Sequence, residues 1–205
     1  MVAMRLLARG LPVLLLALAG PAGGQEGTGR ITGTVRLADD VTFESDTIVY
    51  VVGYSEPAPD RVAEVRQRDL KFVPPLLAIT AGQEVSFPND EDEKMLHHVY
   101  SRSPNRVDLG TFPPGETRKT KLAKPGVVQF YCELHPMMVA EVLVLPNRRF
   151  DLTASDGSYE IDDVRPGTWK VYAYHRGMKK PVQQEVEVVA GETAQRDFAL
   201  GLWNE

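Results

Sequence analysis

From Gly29 onward, short runs rich in Val, Ile, Thr, Phe and Tyr alternate with clusters of Gly, Pro, Asn and Asp: ITGTVRL, TIVYVVG, EVSF, HHVYS, VVQFY and VAEVLVL. The runs recur roughly every ten residues and no helical period of useful length appears, which predicts an all-β, antiparallel sandwich architecture. The segment RVAEVRQRDL fits either one or two helical turns or a polar edge strand.

A break is expected at Leu145-Pro146-Asn147-Arg148-Arg149, where a proline and a polar cluster follow the strand VAEVLVL and carry the chain out of its sheet. This predicts a first β-unit over 25–146 and a second, smaller one over 147–205. In the second unit FDLTASDGSYEIDDV holds Asp156-Gly157 between two alternating runs, a hairpin signal, and RPGTWKVYAYH and QQEVEVVAGETAQRDFAL supply further strands. The Pro-Gly pairs at 125 and 166 and the Gly-Glu-Thr triplets at 115 and 191 are turn chemistry; with no fixed period, a solenoid is excluded.

The first residues, MVAMRLLARG, carry Arg5 and Arg9 and no acid, and LPVLLLALAG supplies an apolar run before the small residues PAGG. Residues 1–24 therefore read as a signal peptide cleaved between Ala19 and Gly24, which predicts a periplasmic or secreted protein. The run is too short to span a bilayer, which takes roughly 20 residues, so no stable membrane insertion is expected. No Cys follows it, which argues against a lipid anchor. Of the 23 basic residues, 21 remain without Arg5 and Arg9, against 28 acidic ones, and this balance argues against nucleic acid as a partner.

An exported chain meets an oxidising compartment, yet Cys132 has no second cysteine to pair with. It is an inert buried residue, a link to another chain, or a metal thiolate. Local sequence favours the last. In VVQFYCELHPMMVAEVLV a strand runs into Cys132, a tight loop carries His135 and Met138, and a second strand leaves. A thiolate, an imidazole and a thioether on one loop suit copper better than the oxygen-seeking magnesium or calcium. Strand alternation turns Met138 inward and the neighbouring Met137 outward. A fourth ligand has to come from elsewhere, and the candidate is His97 in EVSFPNDEDEKMLHHVYS, 35 residues before Cys132. A sandwich that folds this loop onto the Cys loop creates a trigonal His2Cys site with a weak axial Met, the arrangement of blue-copper electron-transfer centres.

The Cys-x2-His-x2-Met spacing, Pro136 after the loop His, and an upstream His before an apolar run resemble the cupredoxins, amicyanin especially. FPND, HHVYS, DLG, KPGVV and YCELHP resemble the plastocyanin-like methylamine-utilisation proteins. The resemblance covers roughly residues 29–145. It implies a Greek-key β-sandwich with one type 1 copper ion, His97, Cys132 and His135 as strong ligands, and Met138 as the axial one. It also selects His97 over the adjacent His98 and makes His135 the electron port, with Leu134, Pro136 and Met137 as an apolar contact patch. Relatives carry Asn directly after the first ligand His, bracing the Cys loop; this chain has His98 there, which puts that bracing and hence the redox potential in question.

Residues 147–201 resemble carboxypeptidase regulatory-like modules, small prealbumin-like sandwiches, through turn motifs that specify architecture more than activity. Trp169, Tyr172 and Tyr174 on one strand read as core packing rather than a sugar platform. The acidic run Asp90 to Glu93 reads as a solvated loop, Asn89 as a loop brace, and His175 lacks ligand-rich neighbours. No nucleophile triad, phosphate loop or carboxylate pair stands out, so the chain is expected to be an electron carrier that meets a periplasmic redox partner, not an enzyme. The competing readings are a copper storage or delivery protein and a metal-free adhesion or carbohydrate-binding-like module.

Overall fold

The computed structural model describes residues 27–37, 47–92, 94–102 and 104–201; the expected signal peptide lies outside them. Every element is a strand. The first nine are β1 (Gly29–Leu37), β2 (Thr47–Val52), β3 (Ala63–Glu64), β4 (Arg66–Arg68), β5 (Lys71–Val73), β6 (Leu76–Thr80), β7 (Glu84–Pro88), β8 (His97–Ser101) and β9 (Val107–Phe112). The rest are β10 (Thr117–Lys121), β11 (Gly126–Tyr131), β12 (Val139–Leu145), β13 (Phe150–Leu152), β14 (Ser158–Val164), β15 (Gly167–His175), β16 (Val182–Val188), β17 (Thr193–Gln195) and β18 (Phe198–Leu200). RVAEVRQRDL is thus strand, split between β3, which runs parallel to β7, and β4, which forms a hairpin with β5.

One sandwich sets the sheet β6-β12-β11-β8-β9 against β10-β7-β3. Its core holds Phe87, Phe112, Phe130, Leu122 and Val99, and closes at one end around Cys132 and Met138. A second sandwich sets β14-β1-β17, with β18 also on β1, against β13-β2-β15-β16, around Ile31, Ile48, Val171, Ile161 and Phe198.

This pairing corrects the expected division. The first two strands, β1 and β2, do not join the unit 25–146: β1 lies between β14 and β17, and β2 between β13 and β15. The first sandwich is therefore inserted between β2 and β13 of the other, not simply followed by it. Nothing local in ITGTVRL or TIVYVVG separates the two outcomes, because alternation reports that a strand has a buried face, not which sheet receives it. The Asp156-Gly157 turn forms, with Gly157 N–H on the Ala154 carbonyl at 2.9 Å and a left-handed φ of 82°. Yet its flanking strands part, β13 to β2 and β14 to β1, so it crosses between sheets instead of closing a ladder.

The two sandwiches share β12. Ala140, Val142 and Val144 point into one core, while Leu143 and Leu145 point into the other. Burial on both faces explains why VAEVLVL reads as nearly continuous apolar sequence. Its single acid, Glu141, lies in that interface, 5% exposed, and accepts hydrogen bonds from Tyr174 Oη at 2.9 Å, Gly177 N–H at 3.2 Å and Gln129 Nε2 at 3.2 Å. The expected core role of the aromatic strand holds: Tyr174 is buried, Tyr172 stacks on Tyr50, and Trp169 packs edge-on against Tyr54.

Candidate metal centre

Three elements converge at one end of the first sandwich. In β8, burial alternates from its first residue, so His97, Val99 and Ser101 face inward and His98 and Tyr100 outward. β11 ends at Tyr131, immediately before Cys132, and β12 begins at Val139, immediately after Met138. The intervening loop is pinned by Cys132 N–H on the Met138 carbonyl at 3.3 Å and Met138 N–H on the His135 carbonyl at 2.9 Å. This closure keeps Cys132 and Met138 at the base, 3% and 1% exposed, and lifts His135 to a half-buried rim. Met137 is 92% exposed, so the expected inward and outward alternation of the two methionines is the observed one.

His97 is fully buried and its Nδ1 lies 3.7 Å from Cys132 Sγ and 3.1 Å from His135 Nδ1. Cys132 Sγ to His135 Nδ1 is 3.6 Å. The donor set therefore passes a simple fit test. A point equidistant from the three atoms lies about 2.0 Å from each, close to ordinary metal–nitrogen lengths of roughly 2.0–2.1 Å and metal–thiolate lengths near 2.3 Å. Among the described residues this is the His/Cys/Asp/Glu cluster with metal-binding spacing. Burial holds the His97 imidazole below its ordinary pKa in spite of the carboxylate beside it, so it is neutral at physiological pH and available as a ligand.

His98 takes another course. Its main-chain N–H points at Cys132 Sγ at 3.4 Å, while its ring bridges Glu133 Oε2 through Nδ1 and Asp108 Oδ1 through Nε2, both at 2.7 Å. Burial opposes protonation of this ring, but the two carboxylates outweigh it and raise the pKa. The bracing put in question by the missing Asn is thus supplied differently: Glu133, inside the Cys loop, is tied through His98 to Asp108 on β9.

Asn89 is a loop brace as expected, with Nδ2 donating to the carbonyls of Met95 at 2.9 Å and Phe112 at 3.1 Å. The acidic run, in contrast, is not simply solvated. Glu91 Oε1 sits 3.0 Å from His97 Nε2, and the carboxylate also accepts the N–H groups of Leu70 at 2.9 Å and Asp69 at 3.1 Å. Burial pushes its pKa up, but these donors outweigh it and hold it below the ordinary carboxylate range. Sequence reasoning missed Glu91 because Asp90, Glu91 and Asp92 carry the same signal; Glu93 lies outside the described residues. His175 accompanies Thr47, its Nδ1 2.8 Å from Oγ1.

Residues 149–196 match the family model of polysaccharide lyase family 4, domain II, not the carboxypeptidase regulatory-like modules that the turn motifs resemble. Solved structures similar to the chain include a purple cupredoxin from Nitrosopumilus maritimus, 21% identical, covering 40% of this chain and 98% of that one at a TM-score of 0.37. Another is amicyanin from Paracoccus versutus, 21% identical, covering 47% of this chain and 96% of that one at a TM-score of 0.36. In sequence, amicyanin-alpha of Methylorubrum extorquens is 30% identical over 93 residues, which span 43% of this chain and 76% of that protein. With that extent of a curated relative covered at that identity, the chain belongs to the amicyanin family of cupredoxins.

Proposed function

We propose that the protein is a type 1 copper electron carrier, with His97, Cys132 and His135 as the strong ligands of one copper ion and Met138 as the axial one. The observation that carries this reading is the triangle of Nδ1, Sγ and Nδ1 atoms, preassembled from two distant segments at a radius that suits a small soft metal. Copper, when bound, supplies one-electron exchange between Cu(II) and Cu(I). The protein holds the donors in a closed loop and a buried strand, so that little rearrangement accompanies a change of charge. His98 N–H, directed at Sγ across 3.4 Å, ties the sulfur to β8.

His135, at the rim, is the electron port in this reading. Leu134 and Met137 stand 48% and 92% exposed, with Pro136 between them exposed as well, and are the apolar residues that a redox partner would cover. The leader-like first residues support export, and a periplasmic redox protein is the partner class that follows. The protein acts as a carrier and not as an enzyme, with the second sandwich as a scaffold for the first.

Visible absorption after Cu(II) addition is the test. An intense thiolate-to-copper band is expected in the parent and its loss in Cys132→Ser. A colourless parent, or a band that survives in Cys132→Ser, overturns the proposal. Rapid electron exchange separates a carrier from a storage or delivery protein, which would instead hand Cu(I) to an acceptor.

A further inference from the structure

Resting on the reading above, we propose that Glu91 is a positioning residue for the metal centre. Its carboxylate fixes His97 in the tautomer that presents Nδ1 to Cys132 and His135, and it biases the centre towards the oxidised state.

An ionised carboxylate only accepts hydrogen bonds, so the 3.0 Å contact from Glu91 Oε1 to His97 Nε2 places the proton on Nε2. The Nδ1 lone pair is thereby left facing the other two donors. Because His97 is fully buried, no water competes for its ring nitrogens.

Glu91 is itself held in place, unlike an acid on a free loop. Asp69 and Leu70, at the tip of the β4–β5 hairpin, adopt left-handed φ angles of 52° and 56°, and both N–H groups turn onto its carboxylate. Consecutive amides aimed at one anion make an anion-binding concavity. Asn89 Oδ1 accepts Glu91 N–H at 3.3 Å, and Arg66 ties the neighbouring Asp90 to the same hairpin. Glu91 is left with a side chain 11% exposed.

A hydrogen-bonded carboxylate behind a metal-ligating imidazole raises ligand basicity. A negative charge close to the centre also favours the ion of higher charge, Cu(II) over Cu(I). The hairpin thus reaches the metal through two residues, with Glu91 as the link.

Two measurements test this. In metal-free parent protein, 15N NMR of the His97 ring is expected to find the proton on Nε2 and a bare Nδ1; a proton on Nδ1 overturns the inference without any variant. In copper-loaded Glu91→Gln, which keeps the size and one acceptor oxygen, the potential is expected to rise and Cu(II) affinity to fall by roughly 10–100-fold. Glu91→Ala is expected to scramble the His97 tautomer as well. Unchanged potential and unchanged tautomer in a folded variant overturn the inference while leaving the carrier reading intact. A parent that binds no Cu(II), but whose His97 tautomer follows Glu91, overturns the carrier reading instead.

Discussion

The hydroxyl of Tyr174 donates a hydrogen bond to Glu141 Oε2 across 2.9 Å, joining the second sandwich to the strand that leads out of the Cys132 loop. With Gly177 N–H on the same oxygen, this contact gives a buried carboxylate its partners at an otherwise apolar interface. Removing the hydroxyl in Tyr174→Phe leaves Glu141 short of a donor, and the expected cost is about 1–3 kcal/mol. Denaturant unfolding measures it. The visible copper band is expected to remain, because Glu141 faces away from Cys132; loss of colour in a folded variant would contradict the geometry.

His98 braces the loop by its ring and addresses the sulfur by its backbone, and substitution separates the two. In His98→Asn the main-chain N–H to Cys132 Sγ survives, while the bonds to Glu133 and Asp108 are lost. Copper content is expected to stay stoichiometric while the reduction potential moves. Atomic absorption with voltammetry decides this: a large fall in copper content would make His98 a ligand.

Acid stability has a named contributor in Glu56, whose side chain is 8% exposed. Burial raises its pKa, but Arg148 N–H at 3.0 Å and the Arg149 guanidinium at 3.0 and 3.2 Å outweigh it and hold the value below the ordinary carboxylate range. A group depressed on folding stabilises the native state above its unfolded pKa, and that stabilisation disappears as pH falls through the folded value. Unfolding free energy is therefore expected to drop on acidification below the ordinary Glu value of about 4.3. Glu56→Gln should be less stable at neutral pH and flatter across the acid limb. A parallel pH profile would remove Glu56 as the cause.

Gly33, on β1, touches the backbone of the segment following β17. A Cβ there would overlap the Arg196 carbonyl, whose own N–H bonds to Thr32 at 2.8 Å. Neither backbone can retreat without breaking that pairing. Gly33→Ala is expected to cost more than about 3 kcal/mol, beyond the range of most single substitutions, as measured by thermal unfolding. A near-neutral result would show that β1 and β17 do not approach as described.

The geometry of the Cys132 loop was legible because it is local. Cys132, His135 and Met138 lie within one turn between two strands, and alternation alone distinguishes Met138 from Met137. The all-β character was legible for the same reason, since period-two runs and turn residues act over a few positions. His97 was reached through its place ahead of an apolar run and through family resemblance.

Other features depended on partners far along the chain. β1 and β2 join strands more than a hundred residues away, and no property of ITGTVRL or TIVYVVG distinguishes that sheet from the nearer one. Glu91 becomes a partner of His97, and Asp92 does not, only because a hairpin turns two amides onto one carboxylate of three similar acids. Local pattern sets which residues are able to be strand, turn or ligand. Their neighbours are chosen by long-range pairing and burial, whose free energy is a property of the assembled chain and not of any segment in it.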